Sequence, residues 1–145
     1  MLLCEAAAYY KEKGLTLWEQ MLNIYEKYGY YKEGVKQITL EGSDGATKIK
    51  SILEKLRKKP PKTIGNYEVK KIRDYKEQTI YNLETEEKEK INLPKSNVLY
   101  YELSEDAWVA IRPSGTEPKI KYYMGVKGTS LEDAEKRLEE LTNNF

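Results

Sequence analysis

The stretch IRPSGTEPKIKYY, residues 111–123, ends an apolar strand on an arginine, runs into Pro-Ser-Gly-Thr, and restarts only after a second proline. It reads either as a stiff hairpin turn or as a backbone shaped to hold an anion. Past the turn, Ile120, Tyr122, Met124 and Val126 point one way while Lys119, Lys121 and Tyr123 point the other, so this strand has one packed and one polar face. Ahead of the turn, Trp108, Ala110 and Arg112 share a face, which projects Arg112 from the end of the sheet.

Working outward, residues 98–103 and 107–111 read as a paired hairpin, with Ser104-Glu105-Asp106 as its connection. A further strand begins at Tyr67 and Val69, and Ile72 falls out of phase with them, the mark of a bulge or an early strand end. Residues 84–97 form a polar excursion. A turn at residues 41–44 (Glu-Gly-Ser-Asp) leads into a helix with Ile49, Ile52, Leu53 and Leu56 on one stripe, stopped by Lys-Pro-Pro at 59–61. The final helix opens at Thr129 or Ser130 and carries Leu131, Ala134, Leu138 and Leu141. From residue 43 onward the pattern predicts an α+β fold, a mainly antiparallel four-stranded sheet with two helices on one face.

The first 29 residues stand apart from that unit. Leu2, Leu3, Ala6, Ala7 and Tyr10 recur at helical spacing without a cap before them. A second helix opens on the capping box of Thr16 and Glu19, with Leu17, Met21, Ile24, Tyr25 and Tyr28 as its stripe. The division expected is therefore residues 1–29 as a helical remnant of a preceding domain, 30–42 as an extended linker and 43–145 as the domain proper. Trp18 and Trp108 read as core anchors, and Cys4 as a buried thiol on the first helix's apolar stripe.

Composition removes several classes of function. Lys and Arg number 25 against 24 for Asp and Glu, so the basic excess of a nucleic-acid binder is absent. With no histidine and one cysteine, neither a His/Cys zinc site nor histidine acid-base catalysis is available to this chain. A single cysteine also excludes an internal disulfide. No apolar run approaches the roughly 18 residues of a membrane span, and no basic segment followed by an apolar core marks a signal peptide. The cytoplasm is the expected compartment.

The loop holds the parts of an anion cradle. Arginine's planar fork can donate two parallel hydrogen bonds to a phosphate or carboxylate. Ser114 and Thr116 add hydroxyls, and Gly115 permits close approach to its N–H and a positive φ. Pro113 and Pro118 stiffen both ends, and Lys121 adds charge. The same residues would serve a plain turn with Arg112 solvated or paired to Glu117, since proline and glycine in turns need no function. The spacing is not that of a P-loop.

The run RPSGTEPK, residues 112–119, resembles the phosphate-binding loop in the C-terminal domain of the α-D-phosphohexomutases, the phosphoglucomutase and phosphomannomutase family. Residues 108–111 and 120–123 look like its flanking strands, and residues 15–31 like the end of the third domain with its connection to the fourth. The resemblance implies a TATA-binding-protein-like C-terminal domain. It implies an enzyme that moves a phosphoryl group between the 1- and 6-positions of a hexose phosphate through a phosphoserine, with Mg2+ in support. Arg112, Ser114, Gly115 and Thr116 would contact the non-reacting phosphate, with Lys121 as an auxiliary charge. Partners would be the hexose phosphate and the enzyme's other domains, with neither nucleic acid nor membrane.

The chain departs from the family pattern in what it lacks. No serine loop, no Asp-rich metal loop and no sugar-gripping Gly-Glu-x-Ser-Gly-His-like run is present. No catalytic or metal residue is therefore expected here, no cofactor belongs to this segment, and it should be inactive alone. Two other classes compete with this reading. One is a nucleic-acid binder using a Tyr- and Lys-bearing sheet, encouraged by the 13 tyrosines. The other is an interaction module without enzymatic role.

Overall fold

A computed structural model describes residues 1–42 and 44–144. Its elements run α1 (Leu2–Glu12), α2 (Leu17–Tyr28), β1 (Tyr30–Thr39), α3 (Gly45–Lys58), β2 (Thr63–Ile64), β3 (Tyr67–Asp74) and β4 (Thr79–Asn82). They continue as β5 (Lys88–Lys90), β6 (Leu99–Leu103), β7 (Trp108–Pro113), β8 (Lys119–Gly128) and α4 (Leu131–Thr142). Ser43, within the turn read at residues 41–44, lies outside the described residues, as does Phe145.

The four strands expected from alternation form the centre of the sheet in the order β8-β7-β6-β3, each neighbouring pair antiparallel. Alternation builds the two faces. Val109 and Ile111 of β7, and Ile120, Tyr122, Met124 and Val126 of β8, are buried on one of them. In β3 the pairing shifts between Val69 and Lys71, a bulge that returns Ile72 to the buried side. Ile49 and Leu53 of α3 and Leu141 of α4 join these residues in a single hydrophobic cluster, so both helices cover the same face. The α+β architecture follows.

Local chemistry starts and joins these helices. The Ser130 hydroxyl accepts the N–H of Asp133 at 3.1 Å, while the Asp133 carboxylate accepts the N–H of Thr129 at 2.8 Å. Arg57, near the end of α3, donates to Asp74 at 2.8 Å and to Asn97 at 2.8 Å. The Arg57–Asp74 pair is nearly buried and ties the helix to the end of β3.

The sheet extends beyond the four strands at both edges. Residues 30–42, read as a linker, contain β1, which pairs with β8 from Tyr30 opposite Gly128 to Thr39 opposite Lys119. Its apolar pattern is interrupted at Gly34 because Leu138 of α4 packs there. A Cβ on Gly34 would stand 3.3 Å from that side chain. At the far edge β4 and β5 follow β3, and β5 lies inside the polar excursion at 84–97. All three of its residues are exposed, so it carries no apolar signal.

Neither α1 nor α2 buries a residue. Trp18, read as a core anchor, is 60% exposed, and Cys4, read as buried, is exposed. The apolar stripes are real but only partly covered: Tyr25 stacks on Tyr30 of β1, ring centroids 5.9 Å apart, while Leu2, Leu3, Met21, Ile24 and Tyr28 stay exposed. Trp108 is half-buried and stacks on Tyr100, ring centroids 5.7 Å apart, on the face away from the helices.

Candidate functional site

The connection at residues 114–118 is braced from within. Ser114 N–H donates to the Lys119 carbonyl at 2.8 Å, and Lys119 N–H to the Glu117 carbonyl at 2.7 Å. The Ser114 hydroxyl oxygen accepts the Glu117 N–H at 3.3 Å and, at the limit of a hydrogen bond, the Thr116 N–H at 3.5 Å. The Pro118 carbonyl accepts from Leu40 N–H at 2.9 Å, which anchors the loop to the residue after β1. Two prolines and these bonds fix the path of the chain before any ligand arrives.

Arg112 is exposed, and among the described residues its side chain has no ion-pair partner. The pairing with Glu117 open to the plain-turn reading does not occur, because Glu117 holds Lys119 at 2.9 Å. Arg112 lies directly opposite Lys121 across the β7–β8 ladder. Like charges facing each other across strands repel, and an anion between them would convert that repulsion into attraction. Gly115 is exposed with open space where a Cβ would stand. It does not use the positive φ open to a glycine, so its use is access.

Arg112, Ser114, Gly115, Thr116 and Lys121 all line one hollow of about 290 Å3, which Tyr123 closes on the sheet side. The structure thus brings together Arg112, Ser114, Gly115, Thr116 and Lys121, the five residues read as phosphate contacts. On the other side of the same loop is a cavity of about 630 Å3, walled by α3 and the 96–98 segment. Lys50, Arg57 and Lys76 reach its lining, and sequence reasoning missed them. No local motif marks them; they converge only when α3 and the β3–β4 turn are placed.

Chemically, the front hollow offers a guanidinium, an ammonium, hydroxyls and loop N–H groups, a set that can bind and orient an anion. Among the described residues no three His, Cys, Asp or Glu side chains come together. The loop itself presents cations where a metal ion would need carboxylates. Among the described residues no helix is long and apolar enough to cross a membrane.

Residues 49–143 match the family described as phosphoglucomutase/phosphomannomutase, C-terminal domain. Over 137 residues, 94% of the chain, the sequence is 37% identical to a phosphoglucomutase of Staphylococcus aureus strain USA300 and 36% identical to that of strain MSSA476. The chain spans 25% of the length of each of these relatives. A crystal structure of parafusin, a phosphoglucomutase from Paramecium, in its open form aligns with 93% of this chain and 24% of its own. The sequence identity is 11% and the TM-score 0.47.

Proposed function

The chain belongs to the phosphoglucomutase/phosphomannomutase C-terminal domain family, and from that premise we propose that its front hollow holds the non-reacting phosphate of a hexose phosphate. The observation that carries this reading is the convergence of Arg112, Ser114, Gly115, Thr116 and Lys121 on one hollow, with Arg112 and Lys121 opposed and Arg112 without an ion-pair partner among the described residues.

In this reading the Arg112 fork grips two phosphate oxygens, and Lys121 neutralises remaining charge as a point cation. The hydroxyls of Ser114 and Thr116 donate to the same dianion. The Thr116 N–H, held only at 3.5 Å by Ser114, is free to turn toward it. The whole protein would interconvert hexose 1-phosphates and 6-phosphates in the cytoplasm. This domain would contribute orientation, since fixing the far phosphate converts a loose encounter into a positioned one. Phosphoryl transfer, with Mg2+, would fall to residues outside this chain.

With one wall only, the isolated chain should bind weakly, on the order of millimolar, about 4 kcal/mol. Amide NMR titration with glucose 6-phosphate and with glucose tests this. Shifts at residues 112–116 with the phosphate and none with the sugar are expected. Arg112→Lys keeps the charge, loses the fork, and should weaken the response. Equal responses to both compounds, or shifts confined to another surface, would leave an interaction module as the better reading.

A further inference from the structure

The cavity behind the loop has a distinct chemistry. Its floor is apolar, built by Ile49 and Leu53 of α3 with Val98. Its rim is cationic, with Lys50 on α3, Lys76 in the β3–β4 turn, and Arg112. None of these three side chains has an ion-pair partner among the described residues. Of the two acids in the lining, Glu117 is engaged by Lys119, which leaves Glu54 as the acid without a partner among the described residues. The wall is fixed, because Arg57 clamps Asp74 and Asn97 together and so holds the 96–98 segment beside α3. About 630 Å3 falls within the range of small-molecule sites, and an apolar floor under a few convergent charges is their usual make-up.

We propose that this rear cavity is a second anion site, taking a small phosphate ester with a ring or apolar body, and that it competes with the front hollow for Arg112. The ester's body lies on Ile49, Leu53 and Val98, and its dianion meets Lys50, Lys76 and Arg112. Arg112 lines both cavities, together with Pro113, Ser114 and Gly115 of the loop, and one guanidinium fork gives its paired bonds to one dianion at a time. Occupancy behind the loop therefore weakens binding in front, and linkage makes the antagonism mutual. Only this coupling rests on the front-hollow reading; rear binding stands independently.

The test titrates the whole chain with phenyl phosphate and follows amide shifts. Leu53, Lys76 and Val98 report the rear, and Thr116, Lys121 and Tyr123 the front. Phenyl phosphate should move the rear group and, near saturation, raise the apparent Kd for glucose 6-phosphate by about fivefold or more. Lys50 and Lys76 are exposed and line only the rear cavity. The double variant Lys50→Glu/Lys76→Glu should lose both the rear shifts and the antagonism while keeping the front response, with an unchanged circular dichroism spectrum. Absence of rear shifts, or their survival in the double variant, would overturn the site. Rear shifts with an undiminished front affinity would overturn the sharing of Arg112. If phenyl phosphate moves the rear group but glucose 6-phosphate leaves the front unmoved, the front reading fails and the rear site remains.

Discussion

Gly125 and Gly115 show how differently the same residue type can be used. A Cβ on Gly125 would stand 2.3 Å from Nε1 of Trp108, its cross-strand neighbour. The missing side chain lets the indole lie over β8 and stack on Tyr100 at an interplanar angle of 13°. Gly125→Ala should displace the ring and cost about 1–3 kcal/mol in urea unfolding. At Gly115 a Cβ would meet nothing within 4 Å. Gly115→Ala should leave stability within about 0.5 kcal/mol and still weaken the glucose 6-phosphate response, because the methyl narrows access to the loop N–H groups. An unaltered unfolding midpoint for Gly125→Ala would show that the indole is held by something else.

At the scale of elements, the structure divides the N-terminal region differently from its apolar pattern. No residue of α1 or α2 is fully buried, whereas β1 pairs with β8 along its whole length and Ile38 and Leu40 pack against the core. Deleting residues 1–29 should shift the melting temperature by only a few degrees. Deleting residues 1–41 also exposes the edge of β8, loses the Lys32–Glu135 bridge and uncovers apolar surface, so melting should fall by roughly 10 °C. Circular dichroism melts compare the two, and loss of the fold in the shorter deletion would place the helices in the core. β7 and β8 were legible because strict alternation reports burial directly. β1 was legible as an extended segment but not as a strand of the sheet, because the gap at Gly34 is explained by Leu138, remote in sequence. β5 had no apolar residue to betray it. The exposed stripe around Trp18 shows the limit of periodicity, which reveals an amphipathic helix without saying what covers it. The loop residues were readable from residue type alone. That Arg112 faces two cavities depends on where α3 and the 96–98 segment lie, and no local pattern encodes that.

For the molecule as a whole, the titrating groups place the pH limits of stability far from neutrality. There is no histidine, so no imidazole changes charge between pH 5 and 8. On the acid side, Thr16 N–H holds the Glu19 carboxyl below its usual range, and Thr129 N–H does the same for Asp133. Their contribution is present above about pH 4 and is lost as pH falls. On the alkaline side, burial pushes the phenols of Tyr67, Tyr100, Tyr101 and Tyr122 up, Tyr101 furthest. Below about pH 10 these phenols are protonated in both states, and the stability is fully present. Above it the unfolded chain ionises first, so unfolding releases protons and stability falls as pH rises. The melting temperature should therefore be level from about pH 5 to 9 and drop beyond about pH 10. Tyr101 supplies the decisive variant, because its fully buried hydroxyl has no hydrogen-bond partner among the described residues. Tyr101→Phe removes an unsatisfied group without changing the ring. At pH 7 it should leave stability unchanged or raised, and above pH 10 it should soften the decline. A melting step near pH 6–7 in the parent protein would refute the assignment of its limits. So would a loss of more than about 1 kcal/mol in Tyr101→Phe at pH 7, since only a hydroxyl with a working partner would be missed that much.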